Sequence, residues 1–181
     1  MNNMNFCPER DGFVSVDPYK LTDLNPFSKI GKEWMLITAK DDKNGANAMT
    51  ASWGGLGVLW GRQVCTVYIR PQRYTFEFAE QGELLTLSFL SERYADALRI
   101  CGTKSGRDID KIRESHLTPC SGKGSGVYFA EANSVILARK LYADDLKEGC
   151  FVDKTCLSHY VAKDFHRMYI CEITGILTKI S

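Results

Sequence analysis

A mainly β fold, a β-barrel with a few short helices attached, is predicted by three observations. Compact runs rich in β-branched and aromatic residues recur along the chain at 33–39, 64–69, 84–90, 135–142 and 168–179. Helical periodicity is confined to short stretches between them. Hydrophobic residues make up 44% of the 181, enough for one real core at a length that defaults to one domain. Many strands with few helices point to a barrel-type sheet rather than a layered α/β fold.

The chain 1–181 reads as a single domain, with 1–24 as an N-terminal lead-in and turns at Asp17-Pro18 and Asn25-Pro26. Glu33–Ala39 is a strand candidate, ended by D-D-K-N-G at 41–45 with a hairpin-type Asn44-Gly45. A strand through Met49 and Ser52 follows, and Val64–Ile69 is another, broken by Pro71. Thr75 reads as the N-cap of a short helix over Phe76–Gln81, closed by Gly82. Leu84–Leu90 alternates, Leu85, Leu87 and Phe89 on one face and Thr86 and Ser88 on the other. Glu92–Cys101 is helical, with Tyr94, Ala97, Leu98 and Cys101 at helical spacing, and Asp108–Ser115 adds a short helix. The glycine-rich 121–126 is a turn. Val135–Tyr142 and Met168–Lys179 are long strands; in the last, Tyr169, Cys171, Ile173 and Leu177 share one side and Glu172, Thr174 and Thr178 the other.

Bulk properties exclude several classes. The net charge of +1 opposes a dedicated nucleic-acid surface, so a barrel that stacks single-stranded bases on its aromatics is disfavoured. No apolar run reaches the ~18 residues of a membrane span, and the N-terminus has no secretory-signal pattern. Cys7 lacks the preceding apolar segment of a lipidated cysteine. Seven cysteines, odd in number and irregular in spacing, with no C-x-x-C, fit reduced thiols in a cytoplasmic protein. His116, His159 and His166 have no ligand spacing that would make a metal site. The run G-K-G-S-G at 122–126 matches neither a P-loop nor a dinucleotide fingerprint.

The most informative stretch runs from Asn47 to Glu77. Small and hydroxyl residues, Thr50, Ala51 and Ser52, lie between Met49 and Trp53, where backbone can approach a flat ligand closely. Arg70, Arg73 and Thr75 stand where a helix begins, and guanidiniums beside free helix N–H groups form an anion site. Together they suit a ligand with an aromatic plane at one end and a phosphate at the other. Read from the residues alone, 49–53 is better explained as an ordinary barrel strand with Trp53 in the core, and 70–75 has the alternative of a solvated turn with a capped helix.

The motifs M-T-A-S-W at 49–53, R-P-Q-R-Y-T at 70–75, T-L-S-F-L at 86–90, C-G-T-K-S-G-R-D-I-D-K at 101–111 and, more weakly, A-R-K-L-Y at 138–142 resemble the flavin reductase-like family, flavoredoxins included, over roughly residues 25–178. The resemblance implies an FMN-binding split β-barrel. It places Met49, Thr50, Ala51, Ser52 and Trp53 along the flavin and Arg73 and Thr75, with Arg70, at its phosphate. Ser88 and Phe89 fall in a flavin-contacting segment, although core packing suits Phe89 as well. Lys104 and Ser105 belong to a polar segment that is either a pocket wall or a solvated connector. As a pocket cation Lys104 would favour the reduced, anionic flavin. His166 sits where family members bring a polar residue near the flavin, or is a surface histidine.

The function so implied is an FMN flavoprotein, an NAD(P)H-dependent flavin reductase that transfers hydride to FMN N5. It would then pass electrons to free flavin or a redox-partner protein. No protein nucleophile or general base is needed, since the cofactor carries the chemistry. The alternative is a flavoredoxin-type electron carrier without efficient NAD(P)H oxidation. Family members are typically homodimers.

Overall fold

A computed structural model describes residues 12–18, 24–43, 45–122, 124 and 126–180; Cys7 and Asn44, singled out above, lie outside them. Ten strands and four helices follow in the order β1 (Phe13–Val16), α1 (Pro26–Gly31), β2 (Met35–Asp41), β3 (Gly45–Ala51), β4 (Gly54–Leu59), β5 (Arg62–Ile69), α2 (Tyr74–Gln81), β6 (Leu84–Leu90), α3 (Ala95–Thr103), α4 (Lys111–Glu114), β7 (Pro119–Gly122), β8 (Gly126–Phe129), β9 (Ala132–Asp145) and β10 (Arg167–Lys179) among the described residues. No described helix is long and apolar enough to cross a membrane.

The main sheet is antiparallel in the order β3-β2-β6-β9-β10-β5-β4, with β1 added to β10. It is not closed: β3 and β4 form its two edges, yet only Ser52 and Trp53 separate them in the chain. The sheet must therefore curl until its edges meet at those two residues. This is a barrel split at one seam.

Two buried clusters lie on the two faces. Ile37, Leu87, Phe89, Ile136 and Tyr169 belong to one, which α2 joins through Phe78 and Ala79. Leu36, Val135 and Leu137 belong to the other, which α3 covers with Ala97, Leu98 and Cys101 and β8 with Tyr128 and Phe129. Adjacent residues of one strand thus serve opposite cores, and β6 is buried along both faces. Its hydroxyl face expected to be polar is covered: Thr86 Oγ1 donates to the Val127 carbonyl.

Several sequence expectations shift. Asn25-Pro26 starts α1 rather than a turn: Asn25 Oδ1 accepts from Phe27 N at 3.0 Å, and Pro26 takes the first helical position. The N-cap of α2 is Arg73, not Thr75. The glycines at 54–57 are strand β4, which the sequence did not announce. Trp60 (φ 52°) and Gly61 (φ 67°) join it to β5 by a two-residue turn with both φ positive. The face assignment in β10 fails at its end. An irregularity between Ile173 and Gly175 switches parity, so Ile176 joins the cluster of Tyr169 and Cys171 while Leu177 joins the other. Within the run 121–126, read as a turn, Ser121 pairs with Val127 and Gly122 with Gly126 in the β7–β8 hairpin.

Candidate functional site

The seam of the barrel opens as a cleft of ≈ 220 Å³ lined by Met49, Thr50, Ala51, Ser52, Trp53, Tyr68, Arg70, Arg73 and His166. One wall is the end of β3 and the β3–β4 link; the other is the end of β5, the start of α2 and the residue before β10. Short side chains at 50–52 keep the first wall low. Thr50 is anchored away from the opening, because its hydroxyl donates to the Leu98 carbonyl of α3 at 2.5 Å. That proton is committed, so a ring-edge donor on this wall comes from Ser52 or the backbone.

His166 is buried, and its Nδ1 lies 2.9 Å from the Tyr160 hydroxyl. Burial, then the Arg70 guanidinium nearby, pushes its pKa down to about 4, so the imidazole is neutral at pH 7. Trp53 packs beside it, ring centroids 4.8 Å apart, and meets His159 edge-on at 5.3 Å. The cleft rim is thus aromatic on this side, with a neutral His166 in it.

The two arginines differ. Arg70 donates to the Asp164 carboxylate, donates to the His159 carbonyl at 2.9 Å, and lies 5.3 Å from the Tyr160 ring centroid. It clasps the 146–166 segment onto the sheet, and its charge is largely spent on Asp164, which Gln72 also engages. Arg73 has no carboxylate partner among the described residues; its guanidinium donates to the Gly102 carbonyl at 2.7 Å. Burial, then repulsion from Arg70, lowers its pKa, the signature of a half-buried cation without a counter-ion.

A second cleft, ≈ 390 Å³, shares Arg70 and Arg73 and continues along Gln72, Tyr74, Thr103, Lys104, Ser105 and Lys111. Lys104 and Ser105 therefore lie on the far side of the arginines from the seam, not beside the 49–53 wall. Lys111, first residue of α4, is 3% exposed. Among the described residues its ammonium reaches the Cys101 carbonyl alone, at 3.4 Å, and burial pushes its pKa down to about 8. Among the described residues no acidic side chain lines this cleft. Arg73, Lys104 and Lys111 make it an electropositive recess suited to a phosphate.

Of the residues expected at the site, Met49, Thr50, Ala51, Ser52, Trp53, Arg70, Arg73 and His166 meet at the first cleft and Lys104 and Ser105 at the second. Thr75, Ser88 and Phe89 line neither. Thr75 is fully buried and its hydroxyl accepts from Asn47 Nδ2 at 2.7 Å. Ser88 faces the interior beneath the sheet, and Phe89 packs in the core. Tyr68 is an addition, and Lys111 belongs to the 101–111 segment that the sequence offered as a pocket wall or a solvated connector.

The chain matches the flavin reductase like domain over residues 27–179. It is similar to the FMN-binding domain of a flavin reductases-like enzyme from Shewanella baltica OS155, at 14% identity over 92% of this chain and 77% of that one, TM-score 0.64. Flavoredoxin of Desulfovibrio vulgaris (Miyazaki F) gives 22% identity over 79% and 67%, TM-score 0.62. Nitrilotriacetate monooxygenase component B from Bacillus cereus gives 16% over 90% and 80%, TM-score 0.63. At these identities the structures speak for the fold. No curated protein matches the chain.

Proposed function

The chain belongs to the flavin reductase-like family, and from that premise we propose that it is an FMN-binding oxidoreductase, an NAD(P)H-dependent flavin reductase. The observation that carries the reading is the pairing of two clefts across Arg73. One is low-walled, with aromatic groups on its rim and the two arginines at one end; the other is lined by Arg70, Arg73, Lys104 and Lys111 and by no carboxylate among the described residues. A phosphorylated flavin has the same two halves.

The residues suit that group. Ala51, Ser52 and Trp53 would lie along the ring, with Met49 and Tyr68 beside them. Arg73 and Lys111 would hold the phosphate, giving a half-buried and a buried cation the counter-ion they lack among the described residues. Bound FMN supplies two-electron exchange between a pyridine nucleotide and a second acceptor. The chain's part is to bind, to orient and to shape the local field. Neutral His166, held by Tyr160, lines the seam cleft without adding a charge to it. Arg70 acts through the clasp to Asp164, fixing the segment that carries His159, Tyr160 and His166.

A flavoredoxin-type electron carrier is the second reading. It is favoured by the all-antiparallel main sheet, which leaves no βαβ unit for a pyridine dinucleotide among the described residues. Anaerobic mixing of the FMN-loaded protein with NADH or NADPH separates the two. Loss of the oxidised-flavin absorbance within seconds is the outcome expected of a reductase. An unchanged spectrum, with the bound flavin still reducible by dithionite, would establish the carrier instead. Failure to retain FMN at all would remove both.

A further inference from the structure

The chain between β9 and β10 is built apart from the sheet. Residues 147–165 form no strand, only the short 3₁₀ turns Glu148–Cys150 and Lys154–Tyr160. Their base is pinched shut where Leu146 N donates to the His166 carbonyl at 2.9 Å. They also have packing of their own. Phe151, Tyr160 and Phe165 meet ring to ring, Tyr160 stacked on Phe165 at 4.8 Å, and none of the three belongs to either cluster of the sheet. A loop with closed ends and private packing has the build of an Ω-loop and can move as one body. Above its base this strap is tied to the barrel at one place. Among the described residues, each hydrogen bond or ion pair that joins it to the barrel there comes from Arg70 or Gln72. Both donate to Asp164 Oδ2, and Arg70 donates to the His159 carbonyl at 2.9 Å. The tie is poised rather than locked. Asp164 Oδ1 is buried with no hydrogen-bond partner among the described residues, a cost that the closed position carries. Lys163, just before it, is held at φ 55°, a left-handed conformation that disfavours a side chain. Lifting the strap would release both.

The seam has a use for such a movement. Its ≈ 220 Å³ is below the ~300–1,000 Å³ of small-molecule sites, and most of its walls, at β3, β5 and the start of α2, are hydrogen-bonded elements. The strap side is the exception. Its foot supplies His166, Tyr160 holds His166, and His159 lies against Trp53 at the rim. We propose that 147–165 is a strap that lifts from the seam to admit and release the flavin ring, with Asp164 as its latch on Arg70 and Gln72. The inference rests on the flavin reading for what enters; the latch is argued from the strap's own contacts. Asp164 is then a positioning residue, which acts on the ligand through the segment it fastens.

The test is kinetic. Stopped-flow flavin fluorescence of the full-length protein gives the association and dissociation rates of FMN. Gln72→Ala weakens the latch without changing charge and is expected to raise both rates by about threefold or more. Asp164→Asn removes the latch charge and is expected to raise both by about tenfold or more, since a gate in the path speeds entry and exit alike when it is unfastened. A carboxylate that only tempered the charge of Arg70 gives another pattern: in Asp164→Asn association quickens while dissociation slows. That pattern, or rates within about twofold of the parent in both variants, overturns the strap. A second readout needs no flavin. Tryptic cleavage of the ligand-free protein at the exposed Lys154 and Lys163 is expected to run about tenfold faster in Asp164→Asn, with cleavage elsewhere unchanged; equal rates at the two lysines overturn the latch. If a circular-dichroism melt shows that Asp164→Asn does not fold, Gln72→Ala carries both readouts. If the parent takes up no FMN, the flavin reading fails and the cleavage rates alone decide the latch.

Discussion

Two cations at the junction of the clefts show how one type of charge does different work. Arg70 and Arg73 are three positions apart, but Arg70 is bound to Asp164 and Arg73 is not. Arg73→Ala is therefore expected to weaken FMN binding by about 1.5–3 kcal/mol, the range of a charged hydrogen bond, as read by flavin fluorescence titration. An affinity within twofold of the parent would dismiss the role. Lys111 makes a pH prediction. Its folded pKa, about 8, lies below the ordinary 10.5, so between those values the unfolded chain binds more protons. Stability without ligand should then rise with pH from about 8 to about 10.5, and Lys111→Met should flatten that slope in urea denaturation. His166 obeys the same sign lower down. Its folded pKa of about 4 lies below 6.5, so its contribution grows as pH rises from about 4 to 6.5. The NMR shift of its imidazole should titrate near 4, and a midpoint near 6.5 would contradict the buried placement.

At the scale of the elements, close backbone approaches decide what is tolerated. Gly82 ends α2 with an ordinary φ of −84°, so its constraint is steric: a Cβ there would run into the Lys40 carbonyl oxygen of β2. Gly82→Ala should destabilise by about 1–3 kcal/mol, the cost of overpacking, visible as a lowered urea midpoint with unchanged slope. Long strands and well-patterned helices were legible in the sequence because each presents its own period. Leu85, Leu87 and Phe89 do share a face, and Ala97, Leu98 and Cys101 do cover a core. Strand β4 was not legible, since Gly54, Gly55 and Gly57 weaken every strand signal. It exists because β5 and the Trp60-Gly61 turn hold it. Likewise Thr75 carries the right side chain for a cap, but the helix begins one residue earlier and Asn47 takes its hydroxyl. Residues 49–53 drew attention by small side chains beside a tryptophan, but alone they read as an ordinary strand, and only the resemblance set them along a ligand; the fold lines the seam with them. Lys111 was undervalued because burial, which makes it unusual, is a property of the fold and not of the motif.

For the whole molecule, one sheet carries both hydrophobic clusters, so neither can melt without exposing strands of the other. We expect a single cooperative unfolding transition, with fluorescence and far-UV circular dichroism coincident. Two separated transitions would refute the single-domain reading. Val58 and Trp60 are 70% and 59% exposed on and beside the edge strand β4, an apolar margin consistent with the homodimer that the resemblance implies. Light scattering at a monomer mass near 20.4 kDa would count against that expectation. The meeting of the sheet's two edges has one more consequence. It sets an indole, Trp53, at the mouth of the opening, within 4.8 Å of an imidazole and 39% exposed. The chain thus carries its own optical gauge. Whatever enters the seam should quench or shift that emission, and occupancy can be followed without a label.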